Sequence, residues 1–249
     1  KDQYLTNNSV LIEGEAEKFF TTEILSFENF NNFFEQTDRI IKTGFVDNLD
    51  ELPFPDWKNY NKIHKLKNNF LNFDNRVAIP ILATRGCPYS CFHYCTYPLQ
   101  QGRKVRYRSV KNIVDEIKKW NKELNAKKFV FRDPVFSINR KFTVSLCEEI
   151  IKQGLKIEFL IETHLNNLDD ELIDLLFKAG LKLIYIGVES VDKGVLSDMK
   201  RFTVESDTQF QIIKKLKDKG IYVKSMFMLG NPEDTEETML ETIKYSNIL

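Results

Sequence analysis

Three of the four cysteines in this chain fall within nine residues: Cys87, Cys91 and Cys95. They stand in the run Arg85-Gly86-Cys87-Pro88-Tyr89-Ser90-Cys91-Phe92-His93-Tyr94-Cys95. Isolated free cysteines are mostly small buried apolar residues. Cys147 fits that description, because it falls on the apolar face of a predicted helix. Three thiols at four-residue intervals beside Gly and Pro do not. Two metal chemistries suit them. Zinc with His93 as a fourth ligand is one, although zinc sites usually pair Cys-x(2–4)-Cys with a second, distant pair, and this sequence has none. An iron–sulfur cluster is the other. Three protein thiolates leave one iron open, which suits substrate or cofactor chemistry. His64 and His164 are isolated and read as surface or packing residues.

The elements that must position this loop are legible from Val77 onward. Val77 to Ala83 is a short apolar, β-branched run that predicts a buried strand. Ser109 to Leu124 predicts a helix with Ser109 as N-cap. Further strands are expected at Lys128 to Phe131, Ile157 to Ile161, Leu183 to Val188 and Ile221 to Met228. Helices are expected at Asn139 to Gly154, Asp169 to Gly180, Val204 to Gly220 and Asp234 to Ile248, with Gly154 as a C-cap. Five strand-then-helix units imply an α/β fold with a parallel sheet. No strand reads as an edge, and no Gly-rich phosphate fingerprint follows the first one. A partial (β/α) barrel is therefore expected, with its chemistry at the C-terminal ends of the strands. The cysteine run follows the first of these strands.

Upstream, Val10 to Ile12 reads as a strand, with a turn at Gly14 and an acidic helix start at Glu15 and Glu17. Residues 25–76 read as a linker with one or two short helices, since Pro53 and Pro55 prevent a regular helix around them. Its aromatics, Phe27, Phe30, Phe33, Phe34, Phe54 and Trp57, are expected to pack on the following domain.

Composition bounds the rest. The 249 residues carry 36 Lys+Arg and 36 Asp+Glu, so the formal net charge is zero. That argues against a whole-surface nucleic-acid binder and gives no polybasic membrane signal. No apolar run is long enough for a transmembrane helix, and the first ten residues do not read as a signal peptide. The basic run Arg103 to Arg108 reads as a salt-bridged loop or solvated strand rather than a nucleic-acid patch. Glu233, Asp234, Glu236 and Glu237 read as an acidic first helical turn.

The cysteine motif, following the first strand of a β/α core, resembles that of the radical S-adenosylmethionine enzymes. The resemblance reaches the branch with an N-terminal cobalamin-binding domain. It continues through Gly102 to Ser109, Phe131-Arg132-Asp133-Pro134, Ile161-Glu162-Thr163, Gly187-Val188-Glu189-Ser190 and Met228-Leu229-Gly230-Asn231-Pro232-Glu233. Residues 1–24 resemble the end of the cobalamin domain, and 77–249 a core holding five of its six β/α units. The family spacing is Cys-x3-Cys-x2-Cys; here the second gap is three residues. That leaves Phe92 and Tyr94 as alternatives for the place against the adenine.

The resemblance implies a [4Fe-4S] cluster on Cys87, Cys91 and Cys95. S-adenosylmethionine would be chelated at the open iron and cleaved by one electron to a 5′-deoxyadenosyl radical. It implies that Tyr94, Asp133, Glu162, Glu189, Ser190 and Gly230 contact S-adenosylmethionine, with Asp133 at the methionine amino group. It implies cobalamin through a domain outside this chain, a flavodoxin or ferredoxin as electron donor, a cytoplasmic location, and methyl transfer to an unactivated carbon. A transfer-RNA methylthiotransferase is a second reading, disfavoured because residues 1–76 lack further cluster cysteines. A structural zinc or iron–sulfur module is a third.

Overall fold

The computed structural model describes residues 11–22, 40–64, 77–91, 94–202 and 204–249. Its strands in chain order are β1 (Leu11–Gly14), β2 (Ile40–Gly44), β3 (Ala78–Ile81), β4 (Thr84–Arg85), β5 (Arg106–Tyr107), β6 (Lys128–Phe131), β7 (Glu158–Thr163), β8 (Leu181–Glu189) and β9 (Tyr222–Phe227). Five of them form one parallel sheet in the order β3-β6-β7-β8-β9. Each strand lies beside its predecessor in the chain, without the reversal of a doubly wound sheet. All five core strands stand where the sequence places them. β3 and β9 are not paired with each other among the described residues. Contrary to the expectation that no strand is an edge, β3 and β9 are edges among the described residues, and Tyr222 of β9 is exposed.

Alternation along the strands separates two faces. One carries Ile79, Ile81, Phe129, Phe131, Phe159, Ile161, Ile184 and Ile186 into a continuous apolar core shared with the helices. The other carries a small cluster of Ala78, Val130, Leu160 and Leu183, with Tyr185 against it.

The helices begin where capping side chains stand. Ser109 accepts the Asn112 amide at 3.1 Å and opens Val110–Leu124. Asn139 and Asp169 do the same for Arg140–Lys152 and Asp170–Ala179. Thr235 and Thr238 form a reciprocal capping box at the start of Glu236–Ser246, whose first turn carries Glu236 and Glu237. Gly180 ends its helix as expected, with a φ of 112°. Gly154 lies one residue beyond the cap of its helix, which is Gln153. The helix expected from Val204 starts at Ser206, and a separate short helix, Lys193–Asp198, precedes it.

β1 ends at Gly14, the helix Ala16–Thr22 follows, and β2 pairs parallel to β1 with Leu11 opposite Ile40. β2 therefore adds a strand to a stretch read as a partly helical linker. Within that stretch the helix Trp57–His64 starts only after Pro55. Phe54 and Trp57 pack against the core as expected; Phe27, Phe30, Phe33 and Phe34 lie outside the described residues. No helix among the described residues is long and apolar enough to cross a membrane.

Candidate functional site

The thiols sit on an excursion of a two-stranded hairpin. β3 turns at Leu82 and Ala83 into β4, and the chain returns to pair antiparallel as β5. The excursion runs from Gly86 to Val105 and includes the helix Tyr97–Gln101, which the sequence reading did not anticipate. Its neck is narrow. Gly86 has a φ of 102°, and a Cβ there would collide with the Lys104 carbonyl, so only glycine fits. The Cys87 amide donates to Gly102 O at 3.0 Å, and the Gly86 amide to Gln101 Oε1 at 3.1 Å. Further out, Arg103 donates to Pro88 O at 2.9 Å and Ser90 Oγ at 2.8 Å. The Cys95 amide closes a helical turn on Cys91 O at 3.1 Å.

Cys87, Cys91 and Cys95 line one cavity of about 80 Å³. Its other walls come from the C-terminal ends of the parallel strands: Pro134 and Val135 after β6, Glu162, Thr163 and His164 at β7, Gly187 and Glu189 on β8, and Met226 on β9. Tyr89, Tyr94, Tyr97 and Arg201 complete it. Cys87 and Cys91 are buried. Burial pushes the Cys87 and Cys95 thiols up, so their thiolates need positive charge from whatever they bind. No three Cys, His, Asp or Glu among the described residues gather as ligands of a single metal ion. The thiols instead surround a shared space, and this donor set suits an iron–sulfur cluster. His93 and Phe92 lie outside the described residues.

Glu162 and Glu189 bring two carboxylates to the cavity. Burial pushes the Glu162 carboxyl up, opposed by Arg132 and reinforced by Glu189. Burial also raises Glu189, opposed by Arg201. Glu189 occupies a left-handed backbone conformation, φ 66°, where the β8–β9 register shifts. Strain of this kind persists where the surroundings over-determine it. Here those surroundings are Arg201 and Gly187. The Arg201 guanidinium donates to Gly187 O at 2.7 Å and to the Tyr94 hydroxyl at 3.4 Å, and lies 3.5 Å from Glu189. A Cβ on Gly187 would fall on that guanidinium.

Arg201 was invisible in the sequence, because only the turn after Lys193–Asp198 carries it inward; the Arg201 amide bonds Leu196 O at 2.9 Å. His164, isolated in the sequence, lines the cavity. Its Nδ1 accepts the Asn166 amide at 3.2 Å, and the Tyr89 and Phe202 rings pack on it. Burial, with Arg201 nearby, lowers its pKa to about 4.

Three expected S-adenosylmethionine contacts stand elsewhere. Asp133 is fully buried and faces the turn after β3. It accepts the Ala83 amide at 3.1 Å, the Thr84 amide at 2.5 Å and the Thr84 hydroxyl at 2.7 Å. Burial pushes its carboxyl up to about 6. These bonds fall mainly on one carboxylate oxygen and tie Asp133 to the base of the cysteine hairpin. Ser190 is also fully buried, 3.3 Å from the Thr242 hydroxyl and accepting the Asp192 amide at 3.1 Å. Gly230 lines a neighbouring cavity of about 620 Å³ with Met199, Met228, Asn231 and Pro232, and Tyr94 is common to both cavities. Of the six expected contacts, Tyr94, Glu162 and Glu189 share the thiol cavity.

Cys147 is buried in the apolar core, where desolvation pushes its thiol up to about 12. The basic run is a salt-bridged loop, as read. Arg106 pairs with Glu15 at 2.8 Å, and Arg108 with Glu116 at 2.6 Å.

The sequence profile of the Radical SAM superfamily matches residues 81–246. The chain is 33% identical over 202 residues to an anaerobic magnesium-protoporphyrin IX monomethyl ester cyclase of Rubrivivax gelatinosus, covering 80% of this chain and 35% of that protein. It is 25% identical over 204 residues to an uncharacterized methyltransferase of Pyrococcus horikoshii, covering 82% of this chain and 43% of that protein. The chain thus spans less than half the length of either relative. Among solved structures, the cobalamin-dependent S-adenosylmethionine radical enzyme OxsB, with aqua-cobalamin and S-adenosylmethionine bound, shares the fold at a TM-score of 0.65 and 19% identity, over 82% of this chain and 30% of that one. With the profile match spanning the sheet from β6 to β9, the cysteine hairpin and the cavity between them, this chain belongs to the radical SAM superfamily.

Proposed function

We propose that this chain is the S-adenosylmethionine-cleaving core of a cobalamin-linked radical enzyme that transfers a methyl group to an unactivated carbon. The carrying observation is the convergence of Cys87, Cys91 and Cys95 with Glu162, Glu189 and Arg201 on one cavity at the strand ends. The three thiolates would hold a [4Fe-4S] cluster. When bound, that cluster supplies the electron that breaks a carbon–sulfur bond of S-adenosylmethionine.

The chain's own residues bind and orient. Glu162 and Glu189 offer acceptors for the ammonium and hydroxyl groups of S-adenosylmethionine, and Arg201 offers a donor for its carboxylate. Tyr94, which lines both the thiol cavity and the cavity that Gly230 lines, would face the adenine. The apolar wall of Pro134, Val135 and Met226 limits water around a reactive radical. Residues 1–24 would form the end of a cobalamin-binding domain. A flavodoxin- or ferredoxin-type protein in the cytoplasm would deliver the electron.

Methyl transfer is favoured by the methyltransferase relatives, which include a bacteriochlorophyllide d C-12(1)-methyltransferase of Chlorobaculum tepidum. Anaerobic reconstitution with iron and sulfide tests the core of the reading. We expect a brown protein absorbing near about 400 nm that forms 5′-deoxyadenosine once reduced. A colourless protein holding one zinc ion would refute it. In the complete protein supplied with cobalamin, S-adenosylhomocysteine should accumulate beside 5′-deoxyadenosine. 5′-Deoxyadenosine alone would point to the cyclase-type chemistry of the Rubrivivax relative instead.

A further inference from the structure

The hairpin that carries the thiols brings two like charges together at its neck. β4 and β5 pair with Arg85 directly opposite Arg106. Like charges opposed across a strand pair destabilise it. The Arg106 side chain is only 5% exposed, so water screens it little.

Two acids far away in the chain supply the counter-charge: Glu17 pairs with Arg85 at 2.7 Å, and Glu15 alone reaches both arginines. The Glu15 carboxylate accepts both terminal nitrogens of Arg106 at 2.8 Å each and lies 3.3 Å from Arg85. The Val46 amide also donates to it, at 2.7 Å. Burial alone would raise the Glu15 carboxyl; the Arg106 hydrogen bonds, the Val46 amide and Arg85 outweigh it and hold the group below its ordinary value. Arg106 carries the constraint onward by donating to Gln101 O at 2.6 Å. Gln101 Oε1 in turn holds the amide of Gly86, the residue before Cys87. A continuous run of polar contacts thus joins Glu15, through Arg106 and Gln101, to the backbone of the first thiol.

We infer that Glu15 is a positioning residue for the cysteine loop: its charge allows the neck of the hairpin to close, so the seating of the three thiols depends on the N-terminal strand–helix–strand unit. The inference rests on the proposed function only in taking those thiols as cluster ligands. The seating itself is measurable in metal-free protein.

The test is the alkylation rate of each thiol in the metal-free chain, read by peptide mass spectrometry, with buried Cys147 as internal reference. Glu15→Gln keeps the side-chain shape and removes the charge. It should speed labelling of Cys87, Cys91 and Cys95 by roughly tenfold and leave Cys147 unchanged, as local opening of one segment does. Glu15→Gln with Arg85→Met removes the surplus positive charge and should return the loop rates to within about twofold of the native chain. Unchanged loop rates in Glu15→Gln overturn the inference. So does a parallel rise at Cys147 in both variants, or a double variant as fast as the single one. In reconstituted protein, Glu15→Gln should also lose iron to a chelator faster than the native chain. A native chain that holds no iron, with the labelling pattern intact, would refute the cluster and leave the positioning role standing.

Discussion

On the helix-backed face of the sheet, Ile79, Phe129, Ile161 and Ile186 continue without interruption into Ile113, Leu146, Leu172 and Leu216 of the helices. On the opposite face, the apolar cluster ends with Ala78, Val130, Leu160 and Leu183. Towards the strand ends it gives way to Glu162, Glu189, His164 and the three thiols. Burial stabilises the first face through removal of apolar area from water. On the second, burial acts against the groups it encloses: it raises two carboxyls and two thiols and lowers a histidine. One sheet therefore has a face that holds the fold together and a face kept under electrostatic tension for ligands to relieve.

The sharpest way to break this contrast uses cysteines from the two sides. Cys91→Ala should abolish 5′-deoxyadenosine formation by the reconstituted protein and deplete its iron. Cys147→Ala should retain both and cost roughly 1 kcal/mol in urea unfolding. Equal loss of iron in the two variants would erase the distinction.

His164 gives the next largest effect. Its pKa falls from 6.5 to about 4 on folding, with Arg201 the charge beside it and Tyr89 and Phe202 packed on its ring. Between those values the unfolded chain takes up a proton that the folded chain refuses. The stabilisation is therefore full above pH 6.5 and is lost as pH falls towards 4. It amounts to on the order of 3 kcal/mol. Urea midpoints of His164→Gln should lack this acid dependence; an unchanged slope would place its origin elsewhere.

Two neighbours at the end of β8 give the smallest effects. Glu189→Ala should weaken S-adenosylmethionine binding about tenfold, the loss of one charge-assisted contact. Ser190→Ala should change it less than about twofold, because that hydroxyl is engaged with Thr242 and the Asp192 amide. Calorimetry giving equal losses would bring Ser190 into the site.

The sequence made the local features legible. Apolar strand runs, the cap at Ser109, the helix start at Asp169 and the crowding of Cys87, Cys91 and Cys95 are all short-range patterns, and each appears in the structure. What it hid depends on distance. Arg201 reaches Gly187 and Tyr94 only after the short helix turns the chain back. The donors to Asp133, Ala83 and Thr84, lie about fifty positions earlier. β2 became a strand through its partner β1 rather than through a strong pattern of its own.

The order of the parallel strands also bears on how the chain is made. Because every strand lies beside the one before it, the sheet can grow strand by strand during synthesis, each addition closing only a modest loop. The bond between Glu15 and Arg106 breaks that rhythm by spanning 91 positions. The acid leaves the ribosome long before the arginine it will hold. The thiols are already on the emerged chain when that arginine follows, so the loop that carries them is complete in sequence before it is anchored in space.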